Sequence, residues 1–536
     1  TNNQRARDLI LDTLQGEVFL AVTRFSPLMP SQPGLVFGTD TKQNLLQTKL
    51  VVGTFERNIR KQQPAVALVT KKYLGHEYTA WRRDETNTIC YGFLKSLFLI
   101  TLQEDVYRDL IARHAQAEPA STLAGNAAFQ SFLNQMQSGD QFAAFLNFQP
   151  ITALLAPLLA FQNQGTSALQ KLAAIQSTGL ILNFAGSQIH ERRITRYAPG
   201  AHTPTAPIAR RTLAFTQPDT LAYLASATDL AAFYTETATA LVQAGLPKPA
   251  AVINNLERDL RRANIRLTDD VLAKLGPETA WIVNWRPTAR APEVAYIATV
   301  RDPDRGAFDK VLDVLATHLL AAAELDAPWN VTEHRGHSLR SLVIGAGTIA
   351  PTYVLTDEFF ILALTPDFAR ALLDQLANPK PTLTGSPDFQ KATAHLPGTV
   401  TDFSYVDLRA LYPHLTGLTR ELPPNEFLDF SKLPADTVVT KHLAPFVAAT
   451  TATAEATVTH SSSPIGSPLG LVAGVAAGFL INRAAILPNG AMPFLDTDAR
   501  RAPRGNPPAA SPTPPTVFAA PPLQLSLEAP AETPPP

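Results

Sequence analysis

"LGPETAWIVNW", residues 275–285, restates "LQGEVFLAVTR", residues 14–24, at a distance of 261 positions. Each stretch opens on leucine and sets a glutamate three residues later, Glu17 or Glu278. Each then runs into a short apolar segment rich in β-branched and aromatic residues, the composition of a strand. Working outward, Gly75-His76 in "YLGHEYTAW" answers Gly336-His337 in "EHRGHSLRSL", again at 261. "FLITLQEDVYRDLI" from Phe98 answers "FILALTPDFARALL" from Phe360 at 262. "TLAGNAAFQ" from Thr122 answers "TLTGSPDFQ" from Thr382 at 260, and "AFLNF" from Ala144 answers "DFSYV" from Asp402 at 258. Five landmarks in one order, with an offset that drifts by a few residues, mark one folding pattern written twice. Units of this length are domains, not solenoid modules.

The local patterns also agree between the copies. After the first strand, residues 41–61 and 304–324 carry apolar residues at helical spacing. "TICYGFLKSLFLITL" and "APTYVLTDEFFILAL" are paired apolar runs broken by a polar pair, a hairpin signature. Helices follow over 104–114 and 366–376, then a further helix behind the Leu-x-Gly cap, then a strand near Phe145 or Phe403. "GLILNFAGSQIHERRITRY" and "FVAATTATAEATVTHSS" close the units as hairpins. Strands joined mainly by hairpins and mixed with helices predict an α+β fold of two tandem homologous domains with antiparallel sheets and packed helices. The expected divisions are a first repeat over 1–200, a second over 201–464, a glycine-rich apolar helix over 465–487 and a proline-rich low-complexity tail over 488–536. A lead-in stretch, residues 212–246, reads as a strand and an amphipathic helix and belongs to the second copy. The first copy starts part-way through the unit, so coding sequence upstream of Thr1 is expected to supply its strand and helix, preceded by an export signal.

The chain has 536 residues, 45% of them hydrophobic, which is enough for more than one core. A net charge of −1 gives no bulk attraction for polyanions, and nucleic acid is not an expected partner. Cys90 is the only cysteine, so no intrachain disulfide forms and multi-cysteine zinc sites are excluded. Within "TICYGFL" it reads as a buried, inert thiol.

The paired strand–helix units, the "QPDTLAYLASATDLAAF" lead-in, the Gly-His pairs and the "TLxGxxxFQ" landmarks resemble an exported bacterial family of unknown function. Members of that family carry large duplicated α+β repeats behind an export signal. The resemblance implies a periplasmic location or one at the outer face of the cell envelope. It supplies no catalytic residue.

"SPIGSPLGLVAGVAAGFLINR", residues 463–483, spaces Gly466, Gly470, Gly474 and Gly478 four apart. On a helix these glycines share a face and let another backbone approach closely. The uninterrupted apolar part is 13 residues, and a span needs about 20. Residues 465–487 therefore read as a membrane anchor or as a buried helix, and as the route to a membrane or protein partner. From Arg501 onward twelve of 36 residues are proline, a composition that predicts a disordered or polyproline II tail.

Local chemistry is sparse. "EHRGH", residues 333–337, places two histidines three apart, but strand-like flanks and Gly336 favour a turn over a metal site. Asp357-Glu358 falls at a predicted hairpin tip as a solvated pair. "IGAGT" lacks the spacing of a dinucleotide loop, and no nucleophile-elbow, phosphate-loop or zinc-protease motif occurs. No catalytic, cofactor-binding or metal residue is assigned, and no cofactor. Trp81, Trp281, Trp285 and Trp329 are the aromatics a ligand cleft would use, with core packing as the alternative. Three functions follow as expectations: a non-enzymatic binding or scaffold component of the envelope, an accessory subunit docked by its C-terminal helix and tail, or an enzyme whose site is assembled from distant residues. Retention after an alkaline carbonate wash distinguishes an anchor from a soluble chain, and a small-molecule ligand stays unassigned.

Overall fold

In the computed structural model of the chain, residues 16–24, 34–62, 67–82, 88–115, 122–153, 173–243, 247–286, 289, 291–322, 327–344, 350–420 and 432–465 are described. Gly466, Gly470, Gly474, Gly478 and the proline-rich tail lie outside them. The first copy opens with β1 (Val18–Arg24), β2 (Gly34–Asp40) and α1 (Leu45–Gln62). The hairpins β3 (Ala67–Tyr73) with β4 (His76–Arg82) and β5 (Thr88–Leu94) with β6 (Leu97–Thr101) follow. Then come α2 (Glu104–Ala115), α3 (Ala127–Leu133), β7 (Phe142–Asn147), β8 (Ile175–Ala185) and β9 (Gln188–Tyr197).

The second copy has a lead-in of its own: a 3-10 turn over Arg211–Phe215, β10 (Ala222–Ala227), α4 (Leu230–Gln243) and α5 (Pro247–Arg262). The order of the first copy then repeats as β11 (Leu275–Asn284), β12 (Glu293–Val300), α6 (Arg305–Ala322), β13 (Trp329–His334), β14 (His337–Leu342), β15 (Thr352–Leu355) and β16 (Phe359–Ala363). It ends with α7 (Pro366–Ala377), α8 (Pro387–Thr393), β17 (Asp402–Val406), α9 (Leu408–Arg420), α10 (Asp436–Thr440), β18 (Phe446–Ala452) and β19 (Ala456–Ser463).

The strands form an antiparallel six-stranded sheet, β1-β2-β6-β5-β4-β3, and an antiparallel thirteen-stranded sheet, β13-β14-β15-β16-β12-β11-β10-β17-β18-β19-β9-β8-β7. Strands β1–β6 and β11–β16 thus share one pairing order, and the fold is α+β as the hairpin patterns predicted. Both Gly-His landmarks are two-residue hairpin turns with two successive positive φ angles, Leu74-Gly75 (44° and 84°) and Arg335-Gly336 (54° and 76°). Glycine at the second position removes half the strain of that turn.

The core repeats as well, with volume redistributed. Val106, Tyr107 and Ile111 of α2 are buried, and so are Phe368, Ala369 and Leu373 of α7, their partners at the 262 offset. Tyr78 faces Gly92 across β4 and β5, where a Cβ on Gly92 would stand 2.7 Å from the Tyr107 hydroxyl. The equivalent trio is Leu339, Val354 and Ala369: a side chain grows on the strand as the helix residue shrinks. Close-packed interiors require such compensation.

The copies meet edge to edge. Phe145 lies opposite Gly179, which lies opposite Ile194; Phe403 lies opposite Ala449, which lies opposite His460. Ile194 and His460 therefore hold the same place in their units, and so do Arg193 and Thr459. In the β9–β19 ladder Arg193 pairs with Thr459, so equivalent strands join about a local two-fold. The thirteen-stranded sheet consequently draws strands from both sides of the 200/201 division.

Candidate functional site

One face of the thirteen-stranded sheet is packed under the lead-in turn, α7 and α8, with Phe215, Phe368, Leu372, Leu383 and Phe389 in its core. The other face is covered in two places. Leu256 and Leu260 of α5 and Phe308 and Val311 of α6 cover Ala298, Tyr353 and Phe360, while Leu408 and Leu411 of α9 cover Val406, Phe446 and Ala448. From one cover to the other runs a cross-strand row, open only in its middle: Arg340, Tyr353, Leu362, Tyr296, Trp281 and Leu224 stand opposite one another in successive ladders. Trp281 is 49% exposed and Leu362 37% exposed. Trp281 rests on Tyr296 with ring centroids 5.0 Å apart, and burial pushes the Tyr296 phenol up to about 12. Large apolar side chains left in the open form a surface suited to apolar contact.

The outer end of the row is polar but internally paired. Arg340 donates through Nη1 to the Tyr353 hydroxyl at 2.8 Å and through Nη2 to Asp313 at 2.7 Å, and Nη1 also lies 3.2 Å from Asp309. Its guanidinium sits 4.9 Å from the centre of the Trp329 ring. Tyr353 donates to Asp309, and burial followed by that carboxylate pushes its phenol far up. The cluster ties α6 to β14 and β15. At the opposite end, Trp285 stacks on His414 of α9 at 4.4 Å and donates to the Ala289 carbonyl at 2.9 Å. Burial lowers the pKa of His414.

The four tryptophans do not line one cleft. Trp281, Trp285 and Trp329 share the partly covered face of the larger sheet, while Trp81 belongs to β4 of the six-stranded sheet, edge-on to Phe55 at 6.2 Å. Trp329 and Trp285 serve helix packing, which leaves Trp281 as the one presented to solvent. His334 and His337 face each other across their turn, and His334 contacts Asp374 at 2.9 Å. Arg335 and then His334 hold the Asp374 carboxyl below its ordinary value. Glu358, read as a solvated tip residue, accepts an ion pair from Arg211 of the lead-in turn; a long-range partner of this kind leaves no local pattern. Cys90 is fully buried and burial pushes its thiol up to about 12, as its apolar surroundings predicted. Among the described residues no three histidine, cysteine or carboxylate side chains converge as metal ligands.

Two polar groupings escaped motif reading. Buried Glu278 accepts from the amide and the hydroxyl of Thr212, both at 2.7 Å, which leaves Thr212 to accept from the Tyr223 hydroxyl at 2.9 Å. This knot fastens the lead-in to β11, and only the repeated glutamate hinted at it. At the β9–β19 joint, His190 meets His395 at 4.8 Å beside His460, and Arg192 pairs with Asp140. Burial lowers the pKa values of His395 and His460, with His190 acting further on the first and Arg192 on the second.

Residues 10–435 match a family described as "Protein of unknown function (DUF3352)". The chain belongs to that family. The DUF3352 match covers β1 to α9 in one run, both copies included, and stops just before α10, β18 and β19. The two strands that carry the second copy to the joint thus lie beyond the matched region. No curated protein and no solved structure matches the chain. No described helix is long and apolar enough to cross a membrane.

Proposed function

We propose that this DUF3352 protein is a non-enzymatic binding or scaffold component of the bacterial cell envelope, periplasmic or at its outer face, which takes a protein partner on the open strip of its larger sheet. The half-exposed Trp281, flanked by Leu362 and Tyr296 between two helical covers, is the observation that carries this reading. Aromatic side chains with pre-set rotamers are favoured anchors of protein interfaces because little conformational freedom is lost on contact. The charged groups beside the strip are engaged with one another, as in Arg340 with Asp309 and Asp313. The envelope location follows from the resemblance of the repeats to exported proteins.

A photo-crosslinking residue at position 281 or 362, in the native cell, tests the proposal. A discrete adduct at both positions is expected, lost on Trp281→Ala in the 362-labelled chain. Absence of any adduct at both positions, with equal labelling at an exposed control site on α9, would contradict it. Protease accessibility before and after osmotic shock tests the location.

A further inference from the structure

In the second copy the lead-in has a built seat. The Ile208 amide donates to the Val400 carbonyl at 2.9 Å, Thr212 binds Glu278, and Phe215 is fully buried. Thr216 accepts the Leu383 amide at 3.1 Å, and β10 pairs with β11 on one side and β17 on the other. The first copy retains the residues of that seat. Glu17 stands at the position of Glu278, and "TLAG" stands at that of "TLTG". The 3-10 turns Leu123–Gly125 and Leu383–Gly385 carry the same clasp, Gln130 donating to Ala124 at 2.6 Å and Gln390 to Thr384 at 2.7 Å.

Only the covering differs. Glu278 is buried and Glu17 exposed; Leu383 is 0% exposed and Leu123 50%. Among the described strands β1 pairs only with β2 and β7 only with β8, so the two strands that should flank a lead-in each present an open edge. On α1, Leu46 and Leu50 are exposed, whereas Val311 of α6 is buried beneath α5, which follows the lead-in strand. An open strand edge is a template for another strand, and an exposed glutamate matching a buried hydrogen-bonding one marks where its donor belongs.

We infer that this seat takes a further lead-in segment: a threonine-bearing 3-10 turn and a small-residue apolar strand of the chemistry of residues 208–227. The segment enters antiparallel between β1 and β7 and makes the two sheets one.

Grafting residues 208–227 through a flexible linker ahead of Thr1 of the full chain tests it, with a scrambled graft as control. The authentic graft should raise the melting temperature by several degrees and slow amide exchange in β1 and β7 at least tenfold. Glu17→Leu, which has no acceptor oxygen, should remove most of both gains. Equal behaviour of authentic and scrambled grafts, or protection confined to β11 and β17, would overturn the seat.

Discussion

Leu123 and Leu383 begin the same turn in the two copies, yet one is half in water and the other is sealed under Phe215 and Thr216. Around them the strand order and the hairpin angles match, as does the buried face of the packing helix. Over the described residues the copies therefore differ in covering and not in pattern. What distinguishes them is a lead-in contributed from outside the matched landmarks, which supplies hydrogen-bond donors to Glu278 and an apolar plug to the core. Identical local instructions can fold into one shape and still leave one copy far less protected.

That contrast can be broken by mutation. Leu383→Ala should cost about 3 kcal/mol in urea unfolding, the usual range for a sealed leucine, whereas Leu123→Ala should cost under about 1 kcal/mol. Equal costs at the two positions would remove the asymmetry. A smaller effect is expected at the compensated trio: Gly92→Val should cost about 2 kcal/mol by driving a side chain into Tyr107. Adding Tyr107→Ala recreates the Val354–Ala369 pairing of the second copy and should recover most of that loss. A double variant no better than the single one would show that the two interiors are not built alike.

The mildest effect concerns pH and the joint between the copies. His395, His460 and His414 all have pKa values lowered by burial from 6.5, so the folded chain prefers them neutral. Their contribution to stability is complete above the ordinary histidine value and is lost as pH falls through the lower folded values. The urea midpoint should therefore decline between about pH 7 and pH 5. His395→Gln should flatten that decline while leaving the midpoint at pH 7.5 nearly unchanged. Asp402, whose pKa is raised by burial, acts in the opposite sense as pH climbs through its own folded value.

Much of this architecture was legible in the residues. Period-two and helical spacings are local, so the hairpins, the helices expected over 104–114 and 366–376 and both Gly-His turns could be placed from pattern alone. The helix behind the Leu-x-Gly cap followed from its paired wording. The β9–β19 joint could not be read, because a ladder between strands in different copies is fixed by register and not by any nearby residue. The same reason hid the Thr212–Tyr223–Glu278 knot and the Arg340 cluster, whose members lie far apart in sequence. Trp281 could be named as a cleft candidate, but its exposure depends on where two helical covers stop, which is a property of the assembled sheet. Cys90 was plain from the start, since an apolar strand leaves a thiol nowhere else to go.

The claim on which the rest depends is that two equivalent units are joined through equivalent strands. Disulfide trapping tests it most directly, with Arg193→Cys and Thr459→Cys introduced together in a Cys90→Ala background. Paired positions on neighbouring strands hold Cβ atoms about 5 Å apart, within reach of a disulfide. Rapid, near-complete crosslinking within one chain is expected at 193 and 459, and none at 193 with position 455. A chain that fails to crosslink at 193 and 459, or links better in the shifted pair, would contradict the account.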